Sequence, residues 1–259
     1  YRRQRQMCIR DRLWNFMAFL RTLLLWVIFV PITLIYFIFI LLSIPLPRRI
    51  RHKVGGSWNK TFVWLMKHIT GLSYRVEGLE NVSEEPCIIC SKHQSSFETF
   101  TLQRFLPDQV FLMKKELMWF PIFGISLYIM NSVPVDRNNK DPKNREKLLK
   151  AVDKRRKAGF WINIFPEGTR VAPGKKGRYH YGAAHFAKRL HMDILPVATN
   201  SGEFWPKGFV IYPGVVDFVI GPPISYKQGT AEEIMKRCEN WIENTQKRIT
   251  GKGPFTFSK

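Results

Sequence analysis

The chain is short of cysteine, of acids and of internal repetition, and each shortage removes a class of function. Four cysteines are present in 259 residues, and only Cys87 and Cys90 form a C-x-x-C pair. A zinc site needs four ligands at suitable spacing, and no second pair exists. Pro86 to Ser91 is an apolar run with the look of a buried strand, so the pair is read as two small thiols in a reducing compartment. Asp and Glu number 20 against 41 Lys and Arg, a formal charge of +21. Such a surface attracts nucleic acid or anionic lipid. No recognisable nucleic-acid-binding module occurs. Absence of repeats and of low-complexity linkers excludes a solenoid or a string of tethered modules.

The longest absence is of charge. No charged side chain occurs from Thr22 to Pro47. As a helix this run would reach about 39 Å, more than the ~30 Å hydrocarbon core. Ten Lys or Arg and a single acid, Asp11, precede Gly55 and flank the run. Basic residues beside an apolar stretch point to membrane before DNA. Pro31 interrupts the run and predicts a kink. One spanning helix and a bent, re-entrant hairpin both fit, and basic residues at both ends leave the orientation open. Residues 1–12 show no apolar periodicity and are read as a non-native remnant or a basic arm. Residues 13–54 are expected to be the membrane helix or hairpin, and residues 55–259 an α/β domain.

What is present after Gly55 is globular. Trp58, Phe62, Leu65, Met66 and Ile69 recur at helical spacing. Strands are predicted at 74–76, 87–90, 110–113, 160–165, 194–198, 209–212 and 215–220. Helices are predicted at 97–106, 145–158, 182–188 and 232–249. Strands separated by helices predict an α/β fold, a sheet with helices on its faces.

Two polar clusters carry the chemistry. His93 and Glu98 are five residues apart, a spacing that brings neighbours together on neither a helix nor a strand. They can meet only where the strand ending near Cys90 turns into a helix capped by Ser95 or Ser96. There Glu98 can hold the tautomer of His93 and support it as a base. The plain alternative is a capping box, Ser95-x-x-Glu98, beside a solvated histidine. The second cluster, Phe165-Pro-Glu-Gly-Thr-Arg170, also follows an apolar strand. Its Glu and Arg suit recognition of a polar, anionic group, and its plain alternative is a Pro/Gly turn with a local ion pair.

These residues resemble the glycerolipid acyltransferases, specifically the lysophosphatidate acyltransferases in a bacterial form with His-x4-Glu. The resemblance covers roughly residues 71–224. His93 to Glu98 matches the first block, with Glu in place of the usual Asp. Val133-Pro-Val-Asp136-Arg137 matches the second, 165–170 the third intact, and Ile194-Leu-Pro-Val197 the fourth. The segment 178–182 departs from the family's usual lysine-containing stretch, and its His180 is read as peripheral. The resemblance implies a mixed sheet flanked by helices behind a membrane-embedded N-terminal segment. It implies His93 as general base and Glu98 as its orienting acid. Lys114 or the Gly168 N–H would donate to the oxyanion, with Lys115 close by. Arg137, Glu167, Gly168, Thr169 and Arg170 would bind the acceptor phosphate, with Glu167 positioning the glycerol or holding Arg170. Leu117 to Gly124 is expected to line an acyl groove, with ordinary core as the alternative. The reaction so implied moves a fatty acyl group from acyl-CoA or acyl carrier protein to the 2-hydroxyl of lysophosphatidate, with no metal and no cofactor. Anionic lipids would be partners, nucleic acid would not, and the place would be the cytoplasmic side of a bacterial inner membrane. Another lysophospholipid or a lyso-ornithine lipid is the alternative acceptor. A non-enzymatic membrane binder and a hydrolase in which His93 activates water are the other classes.

Overall fold

Seven strands form one mixed sheet in the computed structural model, which describes residues 2–136 and 141–255. They are β1 (Leu72–Glu77), β2 (Ile88–Ser91), β3 (Gln109–Lys114), β4 (Val133–Val135), β5 (Trp161–Ile164), β6 (Ile194–Thr199) and β7 (Gly214–Ile220). The order across the sheet is β1-β7-β6-β2-β5-β3-β4. From β6 to β4 the strands are parallel, and β7 runs against β6 with β1 parallel to it. The carboxyl ends of β6, β2, β5, β3 and β4 therefore share one edge.

Alternation along β2 shows how the sheet divides the core. Ile88 and Cys90 enter one hydrophobic cluster, Cys87 and Ile89 the other. The C-x-x-C pair thus points to opposite faces, as side chains three apart on a strand must. Both thiols are free and buried. On the first face lie α5 (Pro142–Lys157), α6 (Gly182–Leu190) and α7 (Ala231–Ile249). On the second lie α1 (Arg2–Leu42), α2 (Arg48–Leu65) and α3 (Phe97–Phe105). A capping box of Thr230 and Glu233 starts α7, whose Ile234, Cys238 and Ile242 form the buried stripe.

The uncharged run belongs to α1, which continues through Pro31 without a break. A turn at 43–47 reverses the chain into α2, making a hairpin. Phe29 stacks on Phe62 with ring centroids 4.1 Å apart, Trp58 Nε1 donates to Thr33 Oγ1 at 3.1 Å, and Tyr36 bonds Thr61 at 3.0 Å. Leu25 and Phe29 are buried against the domain, while Leu24, Val27, Ile35 and Ile38 face outward. The uncharged run is itself a single helix, long and apolar enough to cross a membrane, and the hairpin turn follows it. The boundary expected at 54/55 falls inside α2, because Gly55 and Gly56 are helical rather than a linker. Helix also runs back to Arg2, through the segment read as a remnant or arm.

Three further expectations need correction. Residues 209–212 are not a strand: Ile211 N–H donates to Thr22 Oγ1 at 2.9 Å and Tyr212 N–H to Phe204 at 2.9 Å, so the segment serves α1 instead of the sheet. Strand β4 was not expected; it holds Pro134, which an edge strand tolerates. Helix α4 (Pro121–Ile129) was not expected either, and it makes the crossover between β3 and β4.

Candidate active site

His93 lies in the loop between β2 and α3, at the shared carboxyl edge. Its ring stacks on Phe165, with centroids 3.9 Å apart and planes 15° from parallel. Glu98 sits in the first turn of α3 and is fully buried. The carboxylate accepts Gln94 N–H at 2.8 Å, Ser95 N–H at 3.0 and 3.1 Å, and Ser201 Oγ–H at 2.6 Å. Its Oε2 is 3.9 Å from His93 Nδ1. That is ion-pair distance rather than a hydrogen bond. Burial pushes the Glu98 carboxyl up to about 7, against the downward pull of the Ser201 hydroxyl and the Gln94 and Ser95 amides. The capping and catalytic readings of Glu98 are therefore compatible, since one side chain holds the loop backbone and approaches the ring.

The second cluster follows β5, which neighbours β2. Gly168 takes φ 69°, a left-handed value suited to glycine, and its N–H donates to Phe165 at 3.0 Å. Phe165–Arg170 is clamped onto His93 through the main chain. His93 N–H donates to Glu167 Oε2 at 2.9 Å, and Val171 N–H donates to His93 C=O at 2.8 Å. Glu167 Oε1 also meets Lys92 Nζ at 2.6 Å, and Lys92 reaches Glu243 at 2.8 Å. Tyr179 Oη donates to Glu243 at 2.8 Å. Lys92 is 1% exposed. Burial raises the Glu167 carboxyl and Lys92 opposes that rise.

Several expected roles change. Glu167 does not hold Arg170, because both its oxygens are engaged by Lys92 and the His93 amide. Arg170 instead donates to Ser96 Oγ at 3.1 Å and is half-buried, with Thr169 exposed beside it. The Gly168 N–H is turned into its own turn rather than toward an oxyanion. Lys114 ends β3, two strands from β2 and so roughly 10 Å across the edge. It is exposed and 3.3 Å from Glu116, while Lys115 is 3.5 Å from Asp136. Arg137 lies outside the described residues. His180 is exposed, and its N–H donates to Pro166 at 2.9 Å. The groove expected at 117–124 is absent there: Trp119, Phe120 and Phe123 are exposed on the surface. An open cleft of about 1030 Å³ lies instead between α5, α6 and the Phe165–Thr169 turn, floored by Leu112, Leu148, Ile164 and Phe186. Among the described residues no group of three or more His, Cys, Asp or Glu is arranged to hold a metal ion.

Sequence reasoning missed Lys92, Ser201 and Glu243. Lys92 had one signal, its place beside His93. Ser201 and Glu243 had none, because their partners are distant in the chain.

Known proteins resemble the chain in sequence and in fold. Residues 73–200 match the model of a family described as Acyltransferase. A 1-acyl-sn-glycerol-3-phosphate acyltransferase from Pseudomonas aeruginosa is 38% identical over 212 residues, 79% of this chain and 81% of that one. The chloroplastic 1-acyl-sn-glycerol-3-phosphate acyltransferase LPAT1 of Arabidopsis thaliana is 29% identical over 72% of this chain, which spans 52% of that longer protein. The crystal structure of the 1-acyl-sn-glycerophosphate (LPA) acyltransferase PlsC from Thermotoga maritima superposes with a TM-score of 0.72 at 24% identity, over 93% of this chain and all of that one. The likeness to that structure concerns the fold. With His93 and Glu98 at a shared strand edge, an intact third block clamped onto His93 and this degree of identity, the chain belongs to the acyltransferase family.

Proposed function

We propose that this acyltransferase moves a fatty acyl group from a thioester donor, acyl-CoA or acyl carrier protein, to the sn-2 hydroxyl of 1-acylglycerol-3-phosphate. The observation that carries the reading is the approach of a fully buried carboxylate to His93 Nδ1 in a loop clamped by the third block. The names borne by the Pseudomonas and Arabidopsis relatives support the acceptor.

His93 Nε2, on the ring edge away from Glu98, takes the hydroxyl proton as the acceptor oxygen attacks the thioester carbonyl. Glu98 steadies the imidazolium through Nδ1. The tetrahedral oxyanion collapses, the C–S bond breaks, and the imidazolium returns its proton to the departing thiolate. No enzyme-bound acyl intermediate is needed, because the acceptor attacks directly. Lys114 supplies positive charge toward the oxyanion, exchanging its surface pairing with Glu116 for the substrate. Arg170 and Thr169, with Arg137 from the second block, grip the acceptor phosphate. Glu167 positions the base and does not touch the glycerol. The cleft beside Phe165 holds the acyl chain, its volume lying at the upper end of ligand pockets. Helix α1 keeps its outward apolar side in the bilayer, with the α/β domain on the cytoplasmic side of the inner membrane.

Purified protein, a thioester donor and a panel of lysolipids test this. Phosphatidate formed from lysophosphatidate, and reduced about 10²–10⁴-fold in kcat by His93→Ala, is expected. Preference for another lysolipid would reassign the acceptor. Thioester consumed equally fast without any acceptor would make the protein a hydrolase.

A further inference from the structure

The chain has a second uncharged stretch, from Leu117 to Val135. It holds most of the helical turn Lys115–Trp119 and all of α4. Nine residues of helix reach only about 13 Å, too short to cross a bilayer. Ile129 and Val133 near its end are buried, but the part before them is not core: Trp119 is 77% exposed, Tyr128 76% and Phe120 60%, with Ile122, Phe123 and Ile125 also on the surface. Gly124 shapes the display. A side chain there would collide with the carbonyl of Met118, so its absence lets the turn fold tightly back on α4.

The patch has a neighbour of the same character. Helix α4 packs beside α1, and Met130 at its end fills the space above Gly55 of α2. The outer side of α1 is itself apolar, with Leu24, Val27, Ile35 and Ile38 exposed. Lys114 stands immediately before the turn and Lys115 opens it, each with more than half of its side chain in solvent. Exposed Trp and Tyr with apolar residues between them and lysines behind match the chemistry of a bilayer interface: aromatic rings at headgroup depth, cations toward anionic lipid.

We propose that the Lys115–Trp119 turn and α4 form a second lipid-embedded element, a wedge lying in the plane of an anionic membrane beside α1. The proposal rests on the reading that α1 is itself membrane-embedded. Lys114 ends β3 at the edge that carries His93, so the wedge seats that edge at the lipid surface. A lysolipid acceptor then reaches the base without leaving the bilayer.

The test uses the full chain with Cys8→Ser and its buried cysteines retained. Single variants Trp119→Cys, Tyr128→Cys, Val27→Cys on α1 and Lys150→Cys on α5 carry an environment-sensitive fluorophore. They are reconstituted into phosphatidylethanolamine–phosphatidylglycerol vesicles. Positions 119, 128 and 27 are expected to be quenched by lipid-borne doxyl groups and protected from aqueous iodide, with 150 the reverse. Iodide quenching at 119 and 128 while 27 stays in lipid overturns the wedge and leaves the α1 reading standing. Iodide quenching at 27 as well overturns both. Protection from both quenchers, with a dimer in detergent, means that a second copy covers α4 and overturns the lipid assignment. A second readout is the double variant W119E/Y128E. It is expected to raise KM about tenfold for bilayer-presented lysophosphatidate and to leave turnover of a short-chain, water-soluble acceptor unchanged. Equal loss on both substrates overturns the proposal.

Discussion

Two buried glutamates flank His93, and their surroundings differ in kind. Glu98 faces the ring and is held by neutral donors, two amides and a hydroxyl. Glu167 faces the main chain and is paired with a buried ammonium, Lys92. Burial raises both carboxyls, but only Glu167 has a cation opposing the rise. Glu167 therefore has a partner for its charge before any reaction begins. Glu98 lacks such compensation in its hydrogen-bonding set, and an imidazolium at His93 would provide it. Both carboxylates hold the loop backbone, but one has a cation beside it and the other is held by neutral donors.

The largest test of that contrast is Glu98→Gln. The amide keeps the shape and loses the charge, and kcat is expected to fall about 10²–10⁴-fold with KM little changed. Retained turnover would reduce Glu98 to a helix cap. Glu167→Gln should act mainly on stability. Removing one partner of a buried pair costs about 3–5 kcal/mol, and Glu243 still serves Lys92, so the lower end is expected in denaturant unfolding. If Tm stays put and only acceptor KM rises, Glu167 belongs to the binding site after all.

The third test is pH. Wild-type activity should climb as pH rises through about 7, where Glu98 ionises. Stability should show the opposite sign. A carboxyl held above its ordinary value of 4.5 binds more protons folded than unfolded, so its contribution is fully present below about 4.5 and is lost as pH rises to about 7. Glu98→Gln should flatten that slope, measured by chemical denaturation across the window. Ser201→Ala removes a donor to the ionised form and should move the activity limb about one pH unit upward. An unmoved limb would assign it to another group. Glu98→Asp is expected to have the smallest effect, with activity reduced several-fold as the shorter acid withdraws from Nδ1.

Much of this arrangement is legible in the chain, for identifiable reasons. The odd spacing of His93 and Glu98 requires a strand-to-helix turn, and β2 and α3 supply it. Alternating strands and amphipathic helices predict the layered sheet. Local patterning fails where long-range partners decide. Ile211 and Tyr212 have strand composition, yet a threonine on α1 takes the backbone donor. Leu117 to Gly124 looks like an apolar lining, but periodicity cannot say that most of so uniform a segment faces away from the protein. Lys92 looks like a surface lysine until Glu243, far along the chain, arrives beside it.

The clamp on His93 changes how mutations in the third block are to be interpreted. His93 is located through its own amide and carbonyl, one bonded to Glu167 and the other to Val171. A shift of the Pro166–Gly168 turn would be transmitted to the imidazole as a change of aim. Kinetic defects from substitutions in that turn would then fall on kcat even where no substrate atom is touched. The two polar clusters, about seventy residues apart in the chain, would then answer to substitution as one part.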